Sequence, residues 1–205
     1  DEAGLDDAAW LLIEGYGHTI ERCSFEGKTS LNATVVIKPT EGEATSAVPR
    51  GHRIRHCYFG PRTTIGQNGY EAIRAGDSST QHFEMGCLVE HNLFFRTICS
   101  ASAAEAEVIS SKSRGNVYRA NLFEDGDGQL TLRHGRNCIV EGNWFLGTGG
   151  SRESGIRVVG TGHTIRNNYI RDVDGDGLRA ALCVMDGTYG LTDDTYEGVE
   201  SCRIE

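Results

Sequence analysis

Proline is nearly absent, with 3 residues in 205, and there are only 2 tryptophans and 2 methionines. No apolar run approaches the ~20 residues that cross a bilayer as a helix, which excludes a helical membrane span. Positive charge is not in excess either. The 20 basic and 29 acidic side chains leave a net charge of −9, which argues against a nucleic-acid partner, because phosphate neutralisation needs clustered Lys and Arg. The seven cysteines (Cys23, Cys57, Cys87, Cys99, Cys138, Cys183 and Cys202) contain no CxxC pair, removing the usual zinc and dithiol signals. Seven is odd, so complete pairing within one chain is impossible. No basic and then apolar leader opens the chain at Asp1-Glu2-Ala3-Gly4. Abundant Ile, Val, Leu and Phe argue against disorder. What is plentiful is glycine, 27 residues. Much glycine with little proline predicts tight turns between short strands and few long helices.

A short pattern recurs seven times: an aliphatic or aromatic residue, two variable residues, Asn or Cys, one variable residue, then Phe or Ile. The units are Ile20–Phe25, Ile54–Phe59, Val89–Phe94, Tyr118–Phe123, Val140–Phe145, Ile165–Ile170 and Val199–Ile204. Their Asn or Cys positions are 22 to 35 residues apart. A floor near 22 with variable excess is what stacked coils with loop insertions produce. Gly17, Gly51, Gly86, Gly115 and Gly162 stand shortly before units rich in β-branched and aromatic residues, which favours strands. The expectation is an all-β parallel β-helix, a single domain over residues 1–205 of about seven coils.

In such a stack Ile20, Ile54, Val89, Tyr118, Val140, Ile165 and Val199 form one internal column. Phe25, Phe59, Phe94, Phe123, Phe145, Ile170 and Ile204 form a second. Between them Asn92, Asn121 and Asn143 bond their neighbours' backbone, with Cys23, Cys57 and Cys202 as buried thiols in the same column. His18, His52 and His163 share a coil-start position with Cys87, Asn116 and Cys138, so they read as periodic rather than catalytic. The Asp-rich stretches 124–128 and 172–177 read as polar turns; Cys183 stands where a calcium loop of the EF-hand type needs its bidentate Glu. The repeat is running by Ile20 and ends at the last residue, with no cap evident. The expectation is therefore a fragment lacking its N-terminal coils and end caps.

Charge is uneven along the chain. From Lys112 to Arg171 nine basic residues face five acids, a basic zone suited to a polyanion or, equally, a salt-bridged surface. In Leu130-Thr131-Leu132-Arg133 and Gly155-Ile156-Arg157-Val158 the aliphatic residues alternate inward, so Arg133 and Arg157 project outward. The same rule turns Arg74 outward, and three such arginines on successive coils can line one groove. Glu105 and Glu107, two apart on a strand, face the same way; adjacent carboxylates call for a hard cation or strong donors.

The stretch Glu105-Ala106-Glu107-Val108-Ile109-Ser110-Ser111-Lys112, then Leu130-Thr131-Leu132-Arg133-His134-Gly135, then Gly155-Ile156-Arg157-Val158, resembles the signature of polysaccharide lyase family 6. A weaker match runs from Gly66 to Arg74. That family comprises alginate lyases and chondroitinase B, and the resemblance implies a right-handed parallel β-helix. It further implies calcium held by Asn68, Glu105 and Glu107, Lys112 as the base that removes the C5 proton of a uronate, and Arg133 as acid or electrostatic partner of the departing O4. Arg74, His134 and Arg157 would contact substrate. A lysine flanked by Arg133 and a cation has its pKa pushed down, which supplies a neutral amine.

The implied activity is calcium-assisted β-elimination on an anionic polysaccharide, alginate before dermatan sulfate, in a secreted or periplasmic setting, with no nucleic-acid or membrane partner. A β-helical uronate epimerase and a non-catalytic carbohydrate-binding β-helix are the rival readings.

Overall fold

The computed structural model describes residues 8–39, 48–62, 69–97, 107–187 and 196–205. Its strands stack into three parallel sheets, and every strand pairs with its counterpart one coil away. The first sheet holds β1 (Leu11–Ile13), β4 (Val35–Ile37), β7 (Ile73–Ala75), β10 (Glu107–Lys112), β13 (Gly128–His134), β16 (Glu153–Val158) and β19 (Leu182–Val184), in that order. The second holds β2 (Thr19–Glu21), β5 (Arg53–Arg55), β8 (Leu88–Glu90), β11 (Val117–Arg119), β14 (Ile139–Glu141), β17 (Thr164–Arg166) and β20 (Arg203–Ile204). The third holds β3 (Ser24–Phe25), β6 (Tyr58–Phe59), β9 (Leu93–Phe95), β12 (Leu122–Glu124), β15 (Trp144–Leu146) and β18 (Tyr169–Arg171). The chain is a parallel β-helix. Two 3-10 turns, Ser78–Thr80 and Gly177–Arg179, are the helical elements of the described residues, and none of their helices is long and apolar enough to cross a membrane.

The internal columns follow from in-register stacking of like side chains. Ile20, Ile54, Val89, Tyr118, Val140 and Ile165 align on successive coils, as do Phe25, Phe59, Phe94, Phe123, Phe145 and Ile170. Ring centroids in the phenylalanine column are 4.5 to 5.1 Å apart, close to the strand spacing, so each ring stacks on the next without disturbing the ladder. Each fully buried Phe adds roughly 1.5–3 kcal/mol of burial free energy.

Between the second and third sheets the chain turns through one left-handed residue, at Arg22, His56, His91, Ala120, Gly142 and Asn167, each just before the ladder position. A non-glycine residue there costs about 1–2 kcal/mol. The ladder offsets it: Asn92, Asn121, Asn143 and Asn168 each accept, through Oδ1, the backbone N–H of the equivalent residue one coil earlier, at 2.9 to 3.0 Å. A second ladder runs through the coil-start column. The N–H of His18 donates to His52, that of Cys87 to Asn116, and that of Cys138 to His163, at 3.0 to 3.2 Å.

The seventh unit sits elsewhere than its letters indicate. Ile204 pairs with Ile165, so Ile204, not Val199, continues the first column. Cys202 then falls at the level of His163, preceded by left-handed Ser201 as His163 is by Gly162. Both ladder columns accept Asn or Cys, so a six-residue pattern fits two registers, and only pairing separates them. Of the three cysteines placed in the Asn column, Cys57 is buried, Cys23 is exposed at the end of the stack, and Cys202 leaves the column.

His163 is fully buried, and burial lowers its pKa from 6.5 to about 4. Its Nδ1 accepts from Cys138, and its Nε2 lies 3.0 Å from the Val159 carbonyl, which fits the neutral ring. Unfolding lets the ring take a proton at its ordinary pKa. Its stabilisation is therefore complete above pH 6.5 and lost as pH falls toward 4, on the order of 3 kcal/mol. His163→Asn, the residue already used at Asn116, is expected to shrink this acid limb in denaturation curves; an unchanged limb would remove His163 as its cause.

Candidate active site

The two strands that carry the lyase-like motif depart from regular pairing. In the β10/β13 ladder Glu107 pairs with Gln129 and Ile109 with Leu130, so Val108 is an extra residue on β10. Further along, Ser111 pairs with Leu132 and Lys112 with His134, so Arg133 is an extra residue on β13. Bulges break the in-out alternation and re-aim side chains. The first frees Glu107 from the inward face that Ile109 occupies. The second sets Arg133 and His134 beside Lys112. Gly76 and Gly135, both at positive φ, let the following turns pack close: a Cβ on Gly76 would lie 2.8 Å from the Lys112 carbonyl, and one on Gly135 would overlap Ser113.

The result is a compact charged cluster on the outer face of the first sheet. Arg133 Nη1 lies 3.4 Å from Glu107 Oε1. Glu107 is fully buried, and burial pushes its pKa up to about 7; Arg133 and Lys112 oppose this rise, while Glu71 adds to it. Lys112 is partly buried, and its ammonium is pushed below the ordinary lysine range first by burial, then by Arg133 and Arg74, against the pull of Glu107 and Glu71. The direction is the one expected from sequence, but burial outranks Arg133 as its cause.

Arg74, Ser110, Thr131 and Arg157 lie at one level on β7, β10, β13 and β16. The three arginines are thus not on successive coils: the β10 coil, which carries Lys112, separates Arg74 from Arg133. Arg157 is directed away from the core yet is fully buried, with Nε 2.8 Å from Met185 Sδ. Asn68 and Glu105 lie outside the described residues.

Two residues without an assigned role join the cluster. Glu71 precedes β7 and is buried, and among the described residues its Oε2 has no hydrogen-bond partner; the same holds for Oε1 of Gln129, the register partner of Glu107. Glu71 sits within the weaker motif from Gly66 to Arg74, where the alternation rule alone gave it no direction. Gln129 carries no charge and stood out by nothing in the sequence.

Much of the basic zone is spoken for. On the second sheet Glu21, Arg55, Glu90, Arg119, Glu141 and Arg166 form one column of alternating sign. Ion pairs link Arg55 to Glu21, Arg119 to Glu90 and Arg166 to Glu141 at 2.6 to 2.8 Å. Such pairs contribute about 0–1 kcal/mol each and leave little field for a ligand. Arg136 pairs with Glu197, and Arg171 with Asp172. On the first sheet Lys112 and Arg133 act on the buried Glu107, and Arg157 stands on the next strand.

The Asp-rich stretches serve turns. Asp176 accepts the Gly177 N–H at the start of a 3-10 turn. A cavity of about 310 Å³ lies between Arg96, Asp125, Asp127, Thr148, Gly150 and Glu153. Its carboxylates have partners: Arg96 donates to Asp125, while Thr148 and Gly150 donate to Glu153.

A family model described as chondroitinase B matches residues 2–202. Among solved structures the chain is similar to the PL6 family alginate lyase AlyGC, with a TM-score of 0.88 and 34% identity over 97% of this chain and 26% of that one. It is similar to a mannuronic acid specific polysaccharide family 6 lyase from human gut microbiota, with a TM-score of 0.81 and 34% identity over 94% of this chain and 42% of that one. A PL6 family polysaccharide lyase from Pseudopedobacter saltans aligns with a TM-score of 0.75 and 26% identity over 95% of this chain and 47% of that one. The chain thus spans a quarter to a half of these solved relatives. A comparison with curated proteins finds no match. With the coil stack matched nearly end to end, the chain belongs to polysaccharide lyase family 6, the family of alginate lyases and chondroitinase B.

Proposed function

We propose that this chain carries the elimination site of a polysaccharide lyase acting on a uronate polymer, alginate foremost. The observation that carries the reading is the bulge-built cluster of Lys112, Arg133 and Glu107 on an outward sheet face. Lys112, its pKa lowered, takes the C5 proton as a neutral amine. The electron pair left at C5 forms the C4–C5 double bond as the C4–O4 bond breaks. Arg133 donates an N–H hydrogen bond to the departing O4, which then takes up the proton that Lys112 removed from C5; a preformed donor of this kind stabilises charge as it develops. No water is consumed. Arg74 and His134 supply contacts to substrate carboxylates and hydroxyls, and Arg157, implied as a further contact by family resemblance, is fully buried and would act through the positive field it adds beside Arg133. An anionic polymer that does not cross membranes favours a secreted or periplasmic setting.

The donor set fits calcium. Glu107 ionises reluctantly, and the oxygens of Glu71 and Gln129 that no donor reaches among the described residues are hard acceptors of the kind calcium takes. Asn68, Glu105 and Glu107, the ligands implied by family resemblance, would hold the ion with Glu71 beside them. When bound, the ion supplies charge neutralisation of the uronate carboxylate, which acidifies the C5 proton. Because Glu107 must be ionised to bind, cation affinity falls as pH drops below about 7.

The reading is tested by mixing the protein with alginate and calcium and following ultraviolet absorbance of the conjugated product. A rise is expected, and chelation is expected to depress it. Hydrolysis, epimerisation and mere binding create no such chromophore, so binding without a rise would overturn the lyase reading. Indifference to chelator would remove the cation. Dermatan sulfate in place of alginate tests the alternative substrate within the family.

A further inference from the structure

One side chain from outside the first sheet touches three members of the cluster. The Tyr196 ring stacks on His134 with centroids 5.4 Å apart and planes at 20°. The same ring lies 5.7 Å from the guanidinium carbon of Arg133 and 5.7 Å from that of Arg157. Both distances fall within the ~6 Å over which an aromatic face attracts a cation. Arg133 and Arg157 come from neighbouring strands, β13 and β16, so their like charges repel. An electron-rich ring facing both offsets part of that repulsion. It also limits how each planar guanidinium can rotate, and the plane of a guanidinium decides where its fixed fork of N–H donors points.

The geometry points to Tyr196 as a positioning residue of the elimination site: its aromatic face holds the guanidinium of Arg133, with the buried Arg157 over the same ring, and so aims the Arg133 donors at the departing oxygen. The inference rests on the lyase reading above. Tyr196 acts through the arginines, whose guanidinium groups lie over its ring. The ring face performs this role, not the hydroxyl.

The test compares Tyr196→Phe with Tyr196→Leu in the longest natural form of the protein, on alginate with calcium. Phenylalanine keeps the face, whereas leucine keeps apolar bulk without it. Phe is expected to retain kcat within about twofold, and Leu to lower it about tenfold or more, since each lost cation–π contact is worth roughly 0.5–1 kcal/mol at an exposed site and more when desolvated. The pH at which the rate rises, set by Lys112, is expected to stay the same in both variants. Thermal midpoints are expected to match, which separates positioning from folding. Equal kcat in the Phe and Leu variants would overturn the proposal. So would a comparable loss in both with unchanged melting, which would assign the effect to the hydroxyl. A wild-type protein that yields no absorbing product from any uronate polymer would fail the lyase reading itself, and the proposal with it.

Discussion

Lys112→Ala is expected to lower the rate of elimination by roughly 10²–10⁴-fold, the usual worth of a positioned general base. Two features make Lys112 suited to the role. Burial and the positive charge of Arg133 and Arg74 lower its pKa, so more neutral amine is present near neutral pH than a surface lysine offers. It stands at the end of β10, opposite His134 and beside the bulged Arg133, so on the proposed reading base and donor would flank one bond. The wild-type rate is expected to rise with pH through the lowered lysine pKa, and that limb is expected to vanish in the variant. Lys112→Arg separates base chemistry from charge: it keeps the positive group but cannot lose its proton, so it is expected to be nearly as slow as alanine. Polymer binding, measured by calorimetry, is expected to persist in both. Turnover near the wild-type level in either variant would take Lys112 out of the reaction.

Asn121→Ala is expected to cost roughly 3–5 kcal/mol of stability, because it strands several buried polar groups at once. Asn121 Oδ1 accepts from the backbone N–H and the side chain of Asn92, and its Nδ2 donates to the Val89 carbonyl and to Asn143 Oδ1, all at 2.9 to 3.0 Å. Alanine leaves the Asn92 N–H without its acceptor and takes a donor from the Val89 carbonyl, in a turn that already holds left-handed Ala120. Asn121→Cys is expected to fall between Asn and Ala, since Cys57 occupies the same column and its thiol reaches the Ile20 and Arg55 carbonyls only weakly, at 3.8 and 3.3 Å. Urea denaturation followed by circular dichroism measures the series. A loss below about 1 kcal/mol for alanine would mean that water or backbone relaxation replaces the ladder bonds.

The coil stack was legible because it rests on repetition. Ile, Val, Phe and Asn recur where like side chains must stack, and a column of identical neighbours leaves a period in the letters. The failure at Val199 and Cys202 has the same origin. When two columns accept the same residue types, letters alone cannot choose the register, and the pairing of Ile204 with Ile165 does. The basic zone shows a similar division. Arg119 and Arg166 count as cations in the sequence, but the acid one coil away neutralises each, and what lies one coil away depends on loop lengths.

For the candidate site, the chain's order of residues determined its chemical parts: a lysine, an arginine and a glutamate in the family motif, on strands facing out of a β-helix. Only the tertiary structure decided their mutual placement. The bulges at Val108 and Arg133 are properties of pairing between two strands, so neither strand alone reveals them. Glu71 and Tyr196 reach the cluster from other coils, and Gln129 meets Glu107 across the β10/β13 ladder, because stacking converts separations of many residues into the spacing of neighbouring strands. Periodicity survives in a sequence since every coil repeats it; a site made once, across coils, leaves no period and takes shape only when the coils close on one another.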